Sequence, residues 1–464
     1  MLIIMETENT SADKIKEIIS LQKEFFRSGK TLDLEFRKEM LLRLQKALSD
    51  WEERLSEALW IDLHKSYEEA FLTEISIVQG EIKNHLKHFR KWTKPQRRPT
   101  PFKMMPATSK IIREPLGCSL IISPWNYPVQ LLLNPLVGCI SAGCTAILKP
   151  SPYVPHVSAI IEAMIRKTLD EQYIAVVQGN REANSLLLGQ RFDIIFFTGS
   201  PALGKIVMKA AAQHLTPVVL ELGGKSPCII DREANIKVAA HRVAWGKTLN
   251  SGQTCVAPDY LLIHESKEKA FIHEFETAIH EMHGNNVQES RHYVRMVNEK
   301  AFDRVAGYLN DGTIACGGHT DRDERYIEPT LLTNIPCNAP IMQEEIFGPI
   351  LPLIPFSETE EAIQFVNTRE KPLALYYFGN KSKGEEVLRR TSSGGACLND
   401  VIMHIANENM PFGGVGSSGM GHYHGKESFD AFSHCKSVIS TLTVIDPSFR
   451  YMPYKAFKWI KKFL

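Results

Sequence analysis

Three short segments hold residue types able to do chemistry. In Asn250-Ser251-Gly252-Gln253-Thr254-Cys255-Val256-Ala257-Pro258 a cysteine stands in a loop of small and polar residues after a helical stretch. A thiolate needs such a partly exposed, dipole-rich setting to be nucleophilic, which makes Cys255 the candidate nucleophile. Cys139 and Cys144, in or beside an apolar helix, read as packing residues instead. In Leu220-Glu221-Leu222-Gly223-Gly224-Lys225-Ser226-Pro227 a carboxylate ends an apolar strand and two glycines follow. Desolvated at that place, Glu221 would have a raised pKa and serve as a general base. A salt-bridged glutamate beside a turn is the alternative these residues leave open.

The third segment is Phe196-Phe197-Thr198-Gly199-Ser200-Pro201-Ala202-Leu203-Gly204-Lys205. Gly199 permits a tight strand-to-helix turn and Pro201 suits the first helical turn. The helix start then offers free N–H groups and a positive dipole end to a pyrophosphate. It is not a GxGxxG fingerprint, and a strand, a glycine and a helix start in succession also make plain turn chemistry.

The elements that must position these residues read as an α/β protein. Apolar runs at 118–123, 145–148, 173–177, 194–197 and 217–220 alternate with helical stretches such as 156–167 and 203–213. Short strands separated by helices imply a parallel sheet covered on both faces, with ligands beyond the carboxyl ends of its strands. A second alternating set runs from Cys228 to about Asn399, with helices at 237–249 and near 358–366. Ahead of both, Phe71, Ile75, Val78, Ile82, Leu86 and Phe89 recur at helical steps and predict one buried face of a long helix. Pro95, Pro99, Pro101 and Pro106 then hold the chain extended.

Composition narrows the function. A chain of 464 residues calls for two large domains, and its 54 basic and 53 acidic residues nearly cancel, which argues against a coat for nucleic acid. The basic run from Lys83 to Arg98 alternates with apolar helix positions and reads as a solvated face. Nine cysteines without CxxC or zinc spacing, no signal peptide and no membrane-length apolar run predict a cytoplasmic protein with reduced thiols. His422 and His424 have no third ligand nearby, so no metal site is expected.

Taken together, the three segments resemble the aldehyde dehydrogenase superfamily, in its order and with its spacing of 34 residues between Glu221 and Cys255. Pro124-Trp125-Asn126-Tyr127-Pro128, Leu148-Lys149-Pro150-Ser151 and Glu344-Glu345-Ile346-Phe347-Gly348-Pro349 match as well, and the likeness extends to about residue 440. The ending Pro411-Phe412-Gly413-Gly414-Val415-Gly416-Ser417-Ser418-Gly419-Met420-Gly421, with Tyr423-His424-Gly425, looks like the class 3 branch and its fatty-aldehyde relatives. That resemblance implies a helical N-terminus and Rossmann-like NAD(P)-binding domain over 1–222. A catalytic α/β domain would follow over 223–425, then a C-terminal arm over 426–464 that pairs the chain into a homodimer.

The resemblance also implies roles. Cys255 attacks an aldehyde, the Asn126 amide and the Cys255 N–H hold the oxyanion, hydride passes to the nicotinamide, and Glu221 activates the water that hydrolyses the thioester. Lys149 would bond the adenosine ribose and Glu345 the nicotinamide ribose, with Phe347 packing nearby. Gly199, Ser200 and Gly204 would shape the pyrophosphate site. Pro152 stands where many relatives have a glutamate that repels a 2′-phosphate, so NADP is expected to be accepted alongside NAD. Val401, Ile402, Met403 and Ile405 favour medium or long aliphatic, or aromatic, aldehydes. Two other functions compete: an acylating, coenzyme A-dependent dehydrogenase, opposed by Glu221, and a non-catalytic structural protein, opposed by the intact Asn126, Glu221 and Cys255. In the tail, Ala456, Phe457, Ile460, Phe463 and Leu464 share a face opposite Lys455, Lys458, Lys461 and Lys462, the pattern of a docked terminal helix or of peripheral membrane contact.

Overall fold

The five apolar runs all become strands, and alternate residues of each go to opposite cores. In a computed structural model, which describes residues 9–446, 448–454 and 457–463, they form one sheet ordered Gly419–Met420, Val218–Leu222, Ile194–Gly199, Cys118–Ile122, Thr145–Lys149, Ile174–Val176. Every pairing is parallel except that of Gly419–Met420 with Val218–Leu222. Ile121, Leu148 and Phe196 join the core under the helices Gln130–Ala142 and Pro155–Thr168. Leu120, Ile147 and Phe197 join the one under Ala12–Arg27 and Pro201–Ala212. Burial on both faces is why these strands read as continuous apolar runs rather than alternating ones.

Two strands run further than the apolar pattern indicates. Thr198 pairs with Glu221 and Gly199 with Leu222, so the ladder carries the polar residues at its carboxyl end into register. Glu221 thereby belongs to the sheet and not to a turn.

The second sheet is ordered Thr313–Cys316, Thr330–Thr333, Ile350–Phe356, Tyr260–His264, Pro227–Ile230, Ala374–Phe378, Gly395–Leu398. Only its first pairing is antiparallel. Its helices include Ile236–Thr248 and Thr359–Asn367, at the places the alternation predicts. Together the two sheets give the expected α/β architecture.

The N-terminal helices depart from expectation at one point. The periodic run from Phe71 is not a uniform α-helix: Phe71–Ile75 forms a π-helical turn between the helices Tyr67–Ala70 and Ser76–Thr93. Ile75, Val78, Ile82 and Phe89 are fully buried as predicted. Glu74, in this turn, is also fully buried.

The proline-rich stretch leads to the strand Thr108–Pro115, which pairs antiparallel with Ser433–Ser440 along its whole length. Beyond it the described tail is exposed, including Met452, Phe457, Lys458, Lys461 and Lys462. Lys455, Ala456 and Leu464 lie outside the described residues, as do the side chains of Ile460 and Phe463. Among the described residues no helix is long and apolar enough to cross a membrane.

Candidate active site

One cavity of about 780 Å3 collects the chemistry between the carboxyl ends of the first sheet's strands and the amino ends of the second's, with Asn126, Gly199, Ser200, Glu221, Cys255, Glu345 and Phe347 in its wall. Cys255 reaches it through a loop that few sequences allow. The helix Ile236–Thr248 ends, and Asn250, Ser251 and Gly252 then take φ of 51°, 54° and 71° in succession. A Cβ on Gly252 would stand 2.3 Å from the Gly348 carbonyl oxygen, so only glycine lets this loop pack on the segment holding Glu345 and Phe347. Gln253 is fully buried and braces the loop: its amide donates to the carbonyls of Asn250 and Arg295, both at 3.1 Å, and accepts from Val297 N–H at 3.0 Å.

Of the nine cysteines, all free, Cys255 alone lines this cavity. Cys139 and Cys144 are fully buried. Burial raises the Cys255 pKa, with the charges of Glu345 and Glu221 adding to it, while the N–H groups of Cys255 and Val256 oppose the shift. The resting sulfur is therefore a thiol, and thiolate formation needs positive charge or proton removal at the site.

Glu221 is 3% exposed, and neither of its carboxylate oxygens has a hydrogen-bond partner among the described residues. The alternative of a salt-bridged glutamate does not hold here. Burial alone pushes its pKa well above the carboxylate range. A carboxyl left unpaired in a dry cavity is costly, and such groups concentrate where they serve a reaction.

Asn126 places its side chain beside the same loop. Its amide nitrogen donates to the Gln253 carbonyl at 3.0 Å, which leaves the second amide hydrogen free. On the far side of the cavity, Ser200 caps the helix Pro201–Ala212, its hydroxyl accepting from Leu203 N–H. This helix end opens into the cavity beside Thr198, whose buried hydroxyl has no partner among the described residues. Unsatisfied donors at a helix start suit a pyrophosphate, so the residues present fit a dinucleotide.

Gly223 explains why two glycines follow Glu221: a Cβ there would fall 2.0 Å from the Glu345 carboxylate. Burial, together with the charge of Asp259, raises the Glu345 pKa to about 8, against the Gly224 N–H and Lys225. Phe347 holds φ of 51°, strained for a side chain with a Cβ, and sets its ring edge-on to Trp125 with centroids 5.4 Å apart.

Two of the expected cofactor residues are not part of the wall. Lys149 is 1% exposed, and its ammonium donates to the Pro150 carbonyl at 2.7 Å. Burial lowers its pKa to about 8. Gly204 faces the sheet, where a Cβ would stand 2.8 Å from Leu222 Cδ2, so close helix–sheet packing accounts for it. Residues not foreseen hold the Glu345 segment in place. Lys225 donates to the carbonyls of Ile341 and Glu344 at 2.8 and 2.9 Å and pairs with Asp259, which in turn accepts from Ile346 N–H at 2.8 Å. Arg304 donates to the Ile346 carbonyl at 2.8 Å. Lys225 had a signal in its place after the glycines; Asp259 and Arg304 had none, because their partners are main-chain atoms of a distant loop.

Comparison with known proteins identifies the family. The aldehyde dehydrogenase family signature matches residues 2–438. The chain is 48% identical to 4,4'-diaponeurosporen-aldehyde dehydrogenase of Staphylococcus aureus, over 95% of this chain and 97% of the relative. It is 44% identical to aldehyde dehydrogenase family 3 member B1 of Mus musculus, over 96% of each. The dimeric NADP-preferring aldehyde dehydrogenase of Canis lupus familiaris is 42% identical, over 95% and 98%. A solved Staphylococcus aureus AldH in a substrate-bound state superposes with a TM-score of 0.95 at 47% identity, covering 97% of this chain and 99% of that one. The chain belongs to the aldehyde dehydrogenase family, in its class 3 branch. It is an NAD(P)-dependent enzyme that oxidises aldehydes to acids.

Proposed function

We propose that oxidation runs through a Cys255-bound thioester hydrolysed by water that Glu221 activates. The observation that carries this reading is that an unpaired buried carboxylate, the only cavity cysteine and a carboxamide with a free hydrogen share one wall. The Cys255 thiol gives up its proton to solvent, its sulfur adds to the aldehyde carbon, and the Asn126 amide and Cys255 N–H stabilise the resulting alkoxide. NAD(P), when bound, supplies the hydride acceptor. Glu221 then takes a proton from water as it attacks the thioester, and the acid leaves with Cys255 restored. Ser200 with the Pro201–Ala212 helix start is assigned to the pyrophosphate, Glu345 to a ribose, and Phe347 to packing at the nicotinamide end. Lys149 is assigned to the adenosine ribose, its ammonium keeping two hydrogens beyond the one given to the Pro150 carbonyl.

The substrate class is read from the apolar cluster packed behind the nucleophile. Cys255 packs against an apolar cluster that includes Val401 and Ile402, both buried, with Trp245, Leu249, Ile405 and Phe412 alongside. That cluster suits medium or long aliphatic, or aromatic, aldehydes, in keeping with the 4,4'-diaponeurosporen-aldehyde in the name of the Staphylococcus aureus relative. Absorbance at 340 nm with NAD and aldehydes of increasing chain length tests both parts. The wild type reduces NAD with preference for longer chains, and Cys255→Ala loses activity while remaining folded. NAD reduction by Cys255→Ala at the wild-type rate overturns the thioester.

A homodimer is proposed from the strand Ser433–Ser440, which has a partner strand on one edge only among the described residues and leaves Ile439 52% exposed. Light scattering reads the mass directly, and a monomer at micromolar concentration contradicts it. Contact of the exposed tail with a lipid surface is tested by flotation with anionic vesicles. Loss of binding on truncation after Pro453 supports it, and equal flotation of both chains ends it.

A further inference from the structure

Beneath the cavity lies an ion pair that the steps above do not use. Lys65 and Glu74 are both fully buried, with Nζ to Oε1 at 2.8 Å. The second oxygen of Glu74 accepts from the N–H groups of Val129 and Gln130 at 2.9 and 3.0 Å, at the start of the helix Gln130–Ala142. Lys65 in turn donates to the main-chain carbonyl of Asn126 at 3.2 Å, and its ammonium stands 4.3 Å from the centre of the Tyr127 ring. That carbonyl also accepts from the Asn250 side chain at 3.0 Å. The Tyr127 hydroxyl meets Thr254 at 2.6 Å, one residue before the nucleophile.

Both partners of this pair come from unusual backbone. Lys65 follows His64, whose φ of 60° ends the helix Glu52–Leu63. Glu74 lies in the π-helical turn Phe71–Ile75, and such turns recur at functional sites because they redirect one side chain. A fully desolvated pair is an expensive way to hold a fold, since apolar residues of the same volume serve as well. What this pair adds is a fixed point: an ammonium anchored to a helix start and aimed at the backbone of the residue beside the nucleophile.

We propose that Lys65, held by Glu74, is a positioning residue for oxidation: it fixes the Asn126 main chain so that the free amide hydrogen of Asn126 points at the developing oxyanion. The proposal rests on the oxyanion role assigned to Asn126 above. Lys65 touches neither substrate nor cofactor and acts only through Asn126. Displacing a stabilising donor by a fraction of its hydrogen-bond length costs rate without weakening cofactor binding.

The test uses Lys65→Met/Glu74→Gln, which removes both charges of the pair and leaves Glu69, whose pKa Lys65 lowers and which accepts from Asn250 N–H, as the remaining carboxylate nearby. Expected is a folded enzyme with an unchanged NAD(P)H dissociation constant by fluorescence and a kcat lower by about tenfold to a hundredfold. In an Asn126→Ala background the same double change has no further effect. A double variant with wild-type kcat, beside a slow Asn126→Ala, overturns the positioning role and leaves the oxyanion reading standing. Wild-type kcat in Asn126→Ala overturns the oxyanion reading and the proposal with it. Should the double variant not fold, Lys65→Arg keeps the charge and changes the reach: reduced kcat at unchanged cofactor affinity supports the proposal, and full kcat contradicts it.

Discussion

Glu221 and Glu74 are both buried carboxylates within the same half of the molecule, yet their surroundings are opposite. Glu74 has an ammonium on one oxygen and two helix N–H groups on the other, so both oxygens are satisfied. Glu221 has no partner on either oxygen among the described residues. Burial is common to both; satisfaction is what separates them. A carboxylate that holds structure is paired, and one left unpaired in a cavity retains its basicity for a substrate. That contrast predicts opposite costs of substitution.

The largest expected effect is on turnover. Glu221→Gln should lower kcat by roughly 10² to 10⁴, the usual worth of a general base, and a steady-state assay reads it. Glu74→Ala strands the Lys65 ammonium in the interior, and urea denaturation should show a loss of about 3–5 kcal/mol. Glu221→Gln should move stability the other way. The folded pKa of Glu221 lies above its ordinary 4.5. Its contribution is therefore fully present below about 4.5 and is lost as pH rises through the raised folded pKa. Melting temperatures across pH should show Glu221→Gln gaining on wild type toward alkaline pH. A variant that instead melts lower at high pH would mean that Glu221 is paired in solution.

The same raised pKa sets the pH dependence of hydrolysis. A base whose pKa burial raises gains activity as pH rises, so the deacylation rate should climb with pH above the ordinary carboxylate range, and Glu221→Gln should flatten the profile. Smaller again is Gly204→Ala, where the new methyl meets Leu222: a loss of about 1–3 kcal/mol with near-normal NAD affinity by fluorescence titration. A larger loss in NAD affinity than in stability would return Gly204 to the cofactor site. The smallest concerns Pro152. NAD and NADP specificity constants should lie within about a thousandfold of each other, and Pro152→Glu should shift the ratio toward NAD by about tenfold.

How much was legible in the sequence varies with the range of the interaction. The strands of the first sheet were readable because burial on both faces makes each a plain apolar run. Cys255 and Glu221 were readable because their flanking glycines and polar loop residues record a local need: Gly252 for its contact with Gly348, Gly223 for its contact with Glu345. Glu74 was not. Helical steps place Glu74 beside Phe71 and Val78, but the apolar pattern marks only apolar residues as core and a carboxylate there carries no sign of a buried partner. Gly204 was assigned to the cofactor from its place in a motif, whereas its partner is a leucine on the neighbouring strand. Lys149 ends a strand as expected, but it is buried and its ammonium donates to the neighbouring Pro150 carbonyl. Asp259 and Arg304 recognise main-chain atoms far along the chain, and no spacing records such a contact.

The central claim is that Glu221 acts after the thioester has formed, and not in forming it. Rapid mixing of Glu221→Gln with saturating NAD and a long-chain aldehyde tests this directly. The account predicts a burst of about one NADH per active site followed by slow turnover, with the peptide containing Cys255 heavier by one acyl group in quenched samples. NADH formation that is slow from the first turnover, with Cys255 unmodified, would contradict it.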